Sequence, residues 1–353
     1  MKHVRRIVCV AIIAIMMAGL MACSAPVQES QAPAAGASET VSQEPSASAT
    51  GSDAASAKSS GAGFPFELTT FDGAVVTFDH VPERVLAANP DAGEELMALG
   101  LGDKIIATSY NYAQVAEEYR AEYEAKQSLT DSGYPALEAV LGLDPDFVYG
   151  RSAAFDQKGI ASHDTLTENG IMSLSSIESY KMGADVEDVY QDFYNLGRIF
   201  QVEDKANEIV DDMKSRIAAV EEKVADAQPV KVFNFDSEEE GGAYTAGNNF
   251  TSSLIRHAGG VNVFGDLEET WGTVSWEAVV EANPDIIVIN DYSGTTLDEK
   301  IRQLKENPAL SGLKAVQEEN FLVITLPEVF ASSRAADTIE KFAQAFHPEL
   351  FVE

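Results

Sequence analysis

Ala136-Leu-Glu-Ala-Val-Leu-Gly-Leu-Asp-Pro-Asp146 is answered, 139 residues further on, by Ser275-Trp-Glu-Ala-Val-Val-Glu-Ala-Asn-Pro-Asp285. Aligned without a gap, Glu138 falls on Glu277, Ala139 on Ala278, Val140 on Val279, Pro145 on Pro284 and Asp146 on Asp285. Each copy reads as a short helix and a Pro-Asp turn, and each then runs into an apolar strand. A helix, a turn and a strand in this order are common in α/β proteins. A gapless match followed by matching strands goes further and implies two related lobes.

The rest of the chain fits that frame. Short β-rich apolar runs lie at Arg84–Ala87, Lys104–Thr108, Asp146–Tyr149, Met172–Leu174, Lys231–Phe235, Asp285–Ile289 and Phe321–Thr325. Helix-period segments fall between them, among them Gly93–Leu99, Leu137–Leu141, Asp185–Phe200 and Ser332–Phe346. Strand–helix alternation predicts α/β lobes with mostly parallel sheets. A hairpin, Glu67–Phe71 turning at Asp72-Gly73 into Val75–Phe78, precedes the first lobe. Between the lobes, Ala206, Ile209, Val210, Met213, Ile217, Val220 and Val224 recur at helical spacing, and no Pro interrupts until Pro229. A helix of ~24 residues spans roughly 36 Å, about the width of a lobe. One long helix joining two α/β lobes leaves a cleft between them that opens only slightly. The expected organisation is a leader over 1–22, a tether over 23–62, an N-terminal lobe over 63–202, an inter-lobe helix over 203–228 and a C-terminal lobe over 229–353.

The N-terminal residues predict the compartment. Lys2, Arg5 and Arg6 precede an uncharged apolar run, Ile7–Met21, short for a membrane span and suited to a signal peptide. Leu20-Met-Ala-Cys23 resembles the lipobox of bacterial lipoproteins, in which the Cys is acylated and becomes the mature N-terminus. Acyl chains anchor by about 0.8 kcal/mol per buried methylene. The expected address is therefore extracytoplasmic, on the outer face of the cytoplasmic membrane. Cys9 and Cys23 are the only two cysteines, so neither a structural disulfide nor thiol chemistry is expected in the mature chain. Ser24 to Ala62 is Ala-, Ser-, Gly- and Pro-rich without an aromatic residue, the composition of a disordered tether. A formal net charge of −33 argues against nucleic acid and against adhesion to anionic lipid.

The pattern Val81-Pro-Glu-Arg-Val-Leu86 followed by Glu94-Glu-Leu-Met-Ala-Leu-Gly-Leu-Gly-Asp103 resembles the opening of the class III periplasmic binding proteins. These are the solute-binding proteins of ABC importers that serve ferric siderophores, haem and cobalamin. The resemblance continues through Pro135-Ala-Leu-Glu138 and Asp144-Pro-Asp146, then Ala258-Gly-Gly-Val-Asn-Val263, Val274-Ser-Trp-Glu277 and Asn283-Pro-Asp285. It closes with Ser333-Arg334 and His347-Pro-Glu-Leu-Phe351, and so covers the chain from Phe66 onward. It implies two lobes, one backbone helix and a ligand held at the mouth between them. The ligand expected is an iron–siderophore complex or a cobalamin-like molecule, with haem as the alternative; no intrinsic cofactor is expected. The expected partner is a dimeric ABC permease with its cytoplasmic ATPase, the receptor itself being a monomer. The resemblance implies that Glu138 and Glu277 dock onto Arg residues of that permease. Their other reading is plain stabilisation of a helix N-terminus. A lipid-tethered adhesin or a sensor subunit without transport is the alternative of another class.

Ligands of α/β lobes meet the loops at the carboxyl ends of strands. In the first lobe those loops hold Asn89, Tyr110, Asn111, Tyr112, Arg151, Ser152, Ser175 and Ser176. In the second they hold Asp236 to Tyr244, Asp291, Tyr292, Glu328, Phe330 and Arg334, with Trp271 on the rim. Arg151 and Arg334 are the cations that could fork onto an anionic ligand; pairing with neighbouring carboxylates is the competing role. Tyr110, Tyr112, Tyr180, Tyr244 and Trp271 could form flat walls for a large ligand, and Tyr292 and Phe330 are further candidates to line the cleft. Glu238-Glu-Glu240 reads as a solvated loop.

A bare-metal receptor needs several His and carboxylates converging on the cleft. His80, His163, His257 and His347 fall on no strand-end loop, and His163 and His257 read as surface or packing residues of helices, so no metal site is expected. Haem would need a cleft Tyr as axial ligand. Leu99-Gly-Leu-Gly102 ends a helix instead of following a strand and lacks the third Gly of a dinucleotide loop. With no nucleophile elbow and no phosphate loop either, catalysis is not expected.

Overall fold

The structure is a computed structural model that describes residues 63–292 and 294–352, all within one compact unit. The leader, Cys23 and the tether expected over 23–62 lie outside the described residues. A hairpin opens the fold, β1 (Phe66–Thr69) antiparallel to β2 (Val75–Phe78), and Gly73 takes a left-handed φ of 86° at its turn. The first lobe follows as β3 (Val85–Ala87), α1 (Pro90–Ala98), β4 (Ile105–Thr108), α2 (Glu117–Glu124), β5 (Gln127–Ser128), α3 (Leu137–Leu141), β6 (Phe147–Gly150), α4 (His163–Glu168) and β7 (Met172–Ser175). Its sheet is entirely parallel, in the order β5-β4-β3-β6-β7. Val85, Leu86 and Ala87 are all buried, as a strand covered on both faces by helices requires.

Two helices lead out of this lobe, α5 (Val186–Phe200) and α6 (Glu203–Val224). The second lobe comprises β8 (Val230–Phe235), β9 (Ser237–Glu239), β10 (Gly242–Ala246), α7 (Phe250–His257), β11 (Gly260–Asn262), β12 (Trp271–Val274), α8 (Trp276–Ala282), β13 (Ile286–Asp291), α9 (Leu297–Glu306), α10 (Lys314–Gln317), β14 (Phe321–Thr325) and α11 (Ala335–Phe346). Its main sheet is parallel, β11-β8-β13-β14, and an antiparallel sheet of order β12-β10-β9 completes the lobe.

The sequence repeat is a structural repeat, down to its hydrogen bonds. Asp144 and Asn283, which align, both adopt left-handed φ, 52° and 47°. Asp146 accepts the backbone N–H groups of Glu83 and Arg84 at 2.8 Å, and Asp285 accepts that of Lys231 at 2.9 Å. The Arg84 guanidinium donates to the carbonyls of Leu143 and Asp144 (2.6 and 2.7 Å), and the Lys231 ammonium to those of Ala282 and Asn283 (2.5 and 3.4 Å). In each lobe a carboxylate thus ties the incoming strand to its neighbour, and a cation caps the helix end before the turn.

The joining helix α6 buries Ala206, Val210, Met213, Ile217, Val220 and Val224, at steps of three and four residues, against α5 and α11. At the α5 crossing a Cβ on Gly197 would lie 2.7 Å from the Ala206 Cβ, so only glycine allows this approach. One apolar cluster runs from Phe147 and Tyr149 through α5 and α6 to Phe342 and Phe346, linking the lobes into a single core.

Where element ends differ from expectation, local capping accounts for most of the shifts. The helix expected from Gly93 starts at Pro90, a residue whose fixed φ suits the first turn. The helix expected from Asp185 starts at Val186, because Asp185 is its cap and forms a capping box with Asp188. The helix expected from Ser332 starts at Ala335. The joining helix ends at Val224, short of the expected 228. Glu238 and Glu239 are exposed but belong to edge strand β9, paired with β10, and not to a loop.

Candidate functional site

A cavity of about 350 Å³ opens between the lobes, and both supply its lining. The first lobe gives Tyr112 to Val115, Glu117 and Arg120, beyond the end of β4. The second gives Asp291 and Tyr292 at the end of β13, Thr325 to Pro327 at the end of β14, and Arg334. These are the carboxyl ends of parallel strands in both lobes. An adjoining hollow of about 400 Å³ shares the Tyr112–Val115 wall and Arg120 and extends the cleft over Tyr123 and Ser128.

The wall of the first lobe is aromatic. Tyr110, held at a left-handed φ of 47°, packs its ring edge-on to Tyr112 (4.9 Å) and Tyr134 (5.0 Å). Tyr112 also meets Phe330 of the second lobe at 6.2 Å, and Phe330 is buried. Burial, seconded by the Asp91 charge, holds the Tyr112 phenol well above the ordinary range, and burial pushes Tyr134 up to about 12. Both stay protonated at neutral pH.

Arg151 follows Gly150, where an added Cβ would meet the Ala88 Cβ at 2.7 Å and Asn89 Oδ1 at 2.9 Å. The bare backbone there lets the Arg151 N–H donate to Asn89 Oδ1 at 2.9 Å. The guanidinium pairs with Glu178 at 2.9 Å and Asp91 at 3.2 Å. Burial opposes its charge, but Glu178 and Asp91 outweigh that and raise its pKa further. Ser152 spends its N–H and its hydroxyl on Ser179 (2.8 and 3.0 Å), closing the neighbouring loop.

Arg334 reaches across the cleft. Its Nε donates to Glu94 Oε1 at 2.6 Å and its Nη2 to the other oxygen of the same carboxylate. Glu94 sits on α1, is fully buried, and accepts in addition the Ala116 N–H (2.8 Å) and the Ser332 hydroxyl (3.2 Å). The pair therefore ties the first lobe to the start of the last helix.

In the second lobe Tyr244 and Trp271 stack at 5.7 Å from adjacent strands β10 and β12. Behind them Asn290 accepts from Asn234 (2.8 Å) and donates to Asp236 (3.1 Å) and the Tyr292 hydroxyl (2.8 Å). Burial and the Asp236 charge raise the Tyr292 pKa, and burial raises that of Tyr244. Lys300, buried, donates to the carbonyl oxygens of Asn290 (2.5 Å) and Tyr292 (2.9 Å).

The cavity thus unites Tyr112, Tyr292 and Arg334, with Tyr110 and Phe330 packed on Tyr112, and Arg151 bonded beside it. Tyr180 goes elsewhere: it is exposed and stacks on Phe71 of the hairpin turn at 5.3 Å. Glu138 and Glu277 are both exposed, in the first turns of α3 and α8. The helical histidines are packing residues and not surface ones. His163 lies buried against Phe155 (4.0 Å), and His257 and His347 are also buried. Sequence reasoning missed Asp91, Glu94, Glu178 and Tyr134, the residues that complete the wall and neutralise both arginines. A signal existed for one of them: Asp91 closely follows strand β3, at the carboxyl end where ligand loops lie. A larger hollow, about 800 Å³, flanks edge strand β11 with Asp185, Lys231 and Arg256 in its lining, away from the aromatic walls. Among the described residues no helix is long and apolar enough to cross a membrane.

Known proteins of like architecture agree with this geometry. The ABC transporter substrate-binding lipoprotein YvrC of Bacillus subtilis is 24% identical, over 82% of this chain and 88% of that protein. A cobalamin-binding protein of Halobacterium salinarum is 25% identical, over 80% of this chain and 74% of that one. The crystal structure of a periplasmic binding protein from Veillonella parvula superposes with a TM-score of 0.74 at 29% identity, covering 80% of this chain and 98% of its own. The sequence model of the family described as periplasmic binding protein matches residues 85–328. Two parallel-sheet lobes, one joining helix and a cleft at the strand ends belong together: the chain is a member of the periplasmic binding protein family.

Proposed function

We propose that this protein is the extracytoplasmic substrate-binding lipoprotein of an ABC importer, that it captures an iron–siderophore complex or a cobalamin-like ligand, and that it delivers this to a membrane permease without catalysing a reaction. The observation that carries the reading is the inter-lobe cavity, with Tyr112 on one side and Tyr292 and Arg334 on the other. Aromatic faces and protonated phenols suit a large, rigid molecule with both apolar and hydrogen-bonding surface. The single core through α6 supports a small opening motion, since separating the lobes far would expose that apolar cluster. In this reading Tyr110, Arg151, Tyr244, Trp271 and Phe330 flank the ligand. Cys23 carries the lipid, and Glu138 and Glu277 face the permease.

One experiment reads both cargo and anchor. Mass spectrometry of the protein recovered from its own membranes should find an acylated N-terminus at Cys23 and a co-purified metal chelate or corrinoid. A mature protein without lipid would remove the anchor. A polypeptide or polysaccharide in place of a chelate would favour an adhesin.

A further inference from the structure

We infer that the cleft takes a neutral or cationic chelate or corrinoid and disfavours polyanionic ones, a statement that rests on the receptor reading and narrows it. Each arginine at the cleft is already matched by a carboxylate. Arg151 holds two, Glu178 and Asp91, and Arg334 holds both oxygens of Glu94. Arg120 pairs at 2.5 Å with Glu117, an exposed carboxylate on its own helix, and its buried Nε has no hydrogen-bond partner among the described residues, so it is the weakest-matched of the three. An anionic ligand group could form a two-pronged contact with Arg334 only by displacing Glu94, and could take the Arg151 Nη1 only by displacing Asp91. Those carboxylates are buried and would be left without a counter-charge.

The second lobe adds two carboxylates, Asp236 and Asp291, that form no direct ion pair among the described residues, with the Lys300 charge acting on both only at a distance. Asp291, on the cavity wall, is exposed and forms no ion pair among the described residues. Asp236 is bonded to Asn290 and Ser237, both neutral. The nearby Lys300 ammonium is turned onto two carbonyl oxygens instead of either carboxylate. The aromatic walls contribute no compensating charge, and their phenols are held in the protonated form by burial. Seating the two carboxylates of a haem therefore runs against the site. What remains favourable is stacking, phenol hydrogen bonds and attraction to positive charge.

The test uses the full chain in detergent at about 0.15 M salt, where charges more than ~8 Å apart are screened and the cleft itself is read. Tryptophan and tyrosine quenching would follow four probes: a cationic ferric trihydroxamate, a neutral cyanocorrinoid, haemin and a trianionic ferric tris-catecholate. One of the first two should bind at least about tenfold tighter than either anion, a difference of about 1.4 kcal/mol. Asp291→Asn, a surface change that leaves the core untouched, should narrow that margin several-fold. Equal affinity across charge types, or preference for haemin or the catecholate, overturns the inference and leaves the receptor reading standing. Binding of none of the four removes the receptor reading, and this inference with it.

Discussion

Glu95 and Asp192 are two fully buried acids beneath the cleft, and each keeps one oxygen, Oε1 and Oδ1, without a hydrogen-bond partner among the described residues. Tyr149 donates to the other oxygen of Glu95, and the Ile177 N–H to the other oxygen of Asp192 at 2.9 Å. Burial first, and then the Asp192 charge, raises the Glu95 pKa well above its usual range; burial does the same for Asp192. A carboxyl whose folded pKa is raised contributes its stability in full below its unfolded value, near 4. As pH climbs from there to the folded value, that contribution falls away by about 1.4 kcal/mol for every tenfold drop in proton concentration. The parent should therefore lose stability between about pH 5 and pH 8. Glu95→Gln, which mimics the protonated acid, should flatten that loss and be more stable than the parent at pH 8 by about 1 kcal/mol or more. Denaturant midpoints at pH 5 and pH 8 measure it, and a variant equally destabilised at both refutes a raised Glu95 pKa. Residues of this kind show where sequence reading stops. Tyr112, Tyr292 and Arg334 could be found because they follow strands in the chain. Glu94 and Glu178 could not, because what decides their role is the direction of a side chain toward a partner 240 or 27 residues away.

Strands buried on both faces were legible as elements, since a parallel sheet between helix layers leaves unbroken apolar runs such as Val85–Ala87 and Ile286–Ile289. Edge strands β5, β9, β11 and β12 were not, being two to four residues long and largely polar or exposed, with no period to read. The joining helix was legible from its apolar stripe, but the clasp that ties it to its neighbours was not. His257, the last residue of α7, bonds through Nδ1 to Glu221 of α6 (2.6 Å) and through Nε2 to Asp185, the cap of α5 (2.7 Å). Arg256 also pairs with Asp185, Ser253 donates to it, and Glu187 lies close by. Burial works against the His257 charge, and the two carboxylates outweigh it, so its pKa is raised; Asp185 is held below its usual range despite burial. For a histidine raised on folding, the contribution is present below about pH 6.5 and is lost as pH rises through the higher folded value. The Asp185 contribution is present above about pH 4 and is lost on acidification. The clasp is strongest between about pH 4 and 7. His257→Gln should cost about 1–3 kcal/mol at pH 6 and clearly less at pH 9, with faster amide exchange confined to α7 and the start of α5. An equal cost at both pH values would mean that His257 is neutral and only packs.

At the scale of the whole molecule, the two lobes are built alike where it matters for a partner with two-fold symmetry. Glu138 and Glu277 stand in the first turns of α3 and α8, exposed, and the Pro-Asp turn behind each is fixed by the same carboxylate-to-backbone bonds. The same pattern of left-handed residue, turn and strand carries both acids, so each lobe presents its glutamate from an equivalent platform. A helix N-terminus favours a carboxylate by about 0.3–1 kcal/mol, and if that were their whole role each would act alone. If the pair docks as proposed onto a two-fold symmetric permease, that partner presents two equivalent sites, and a receptor with one acid per lobe can fill both. Docking through rim charges governs association and its salt dependence, and it leaves the ligand cleft untouched. Reversing both residues, Glu138→Arg with Glu277→Arg, should keep ligand affinity within about twofold while abolishing uptake and the stimulation of the importer's ATPase. Each single reversal should give partial loss. Raising salt should weaken the parent's ATPase stimulation and do little to the residual activity of the double variant. Normal transport by the double variant would leave these glutamates with helix stabilisation alone, and loss of ligand affinity in it would mean that the acids support the cleft and not the permease contact.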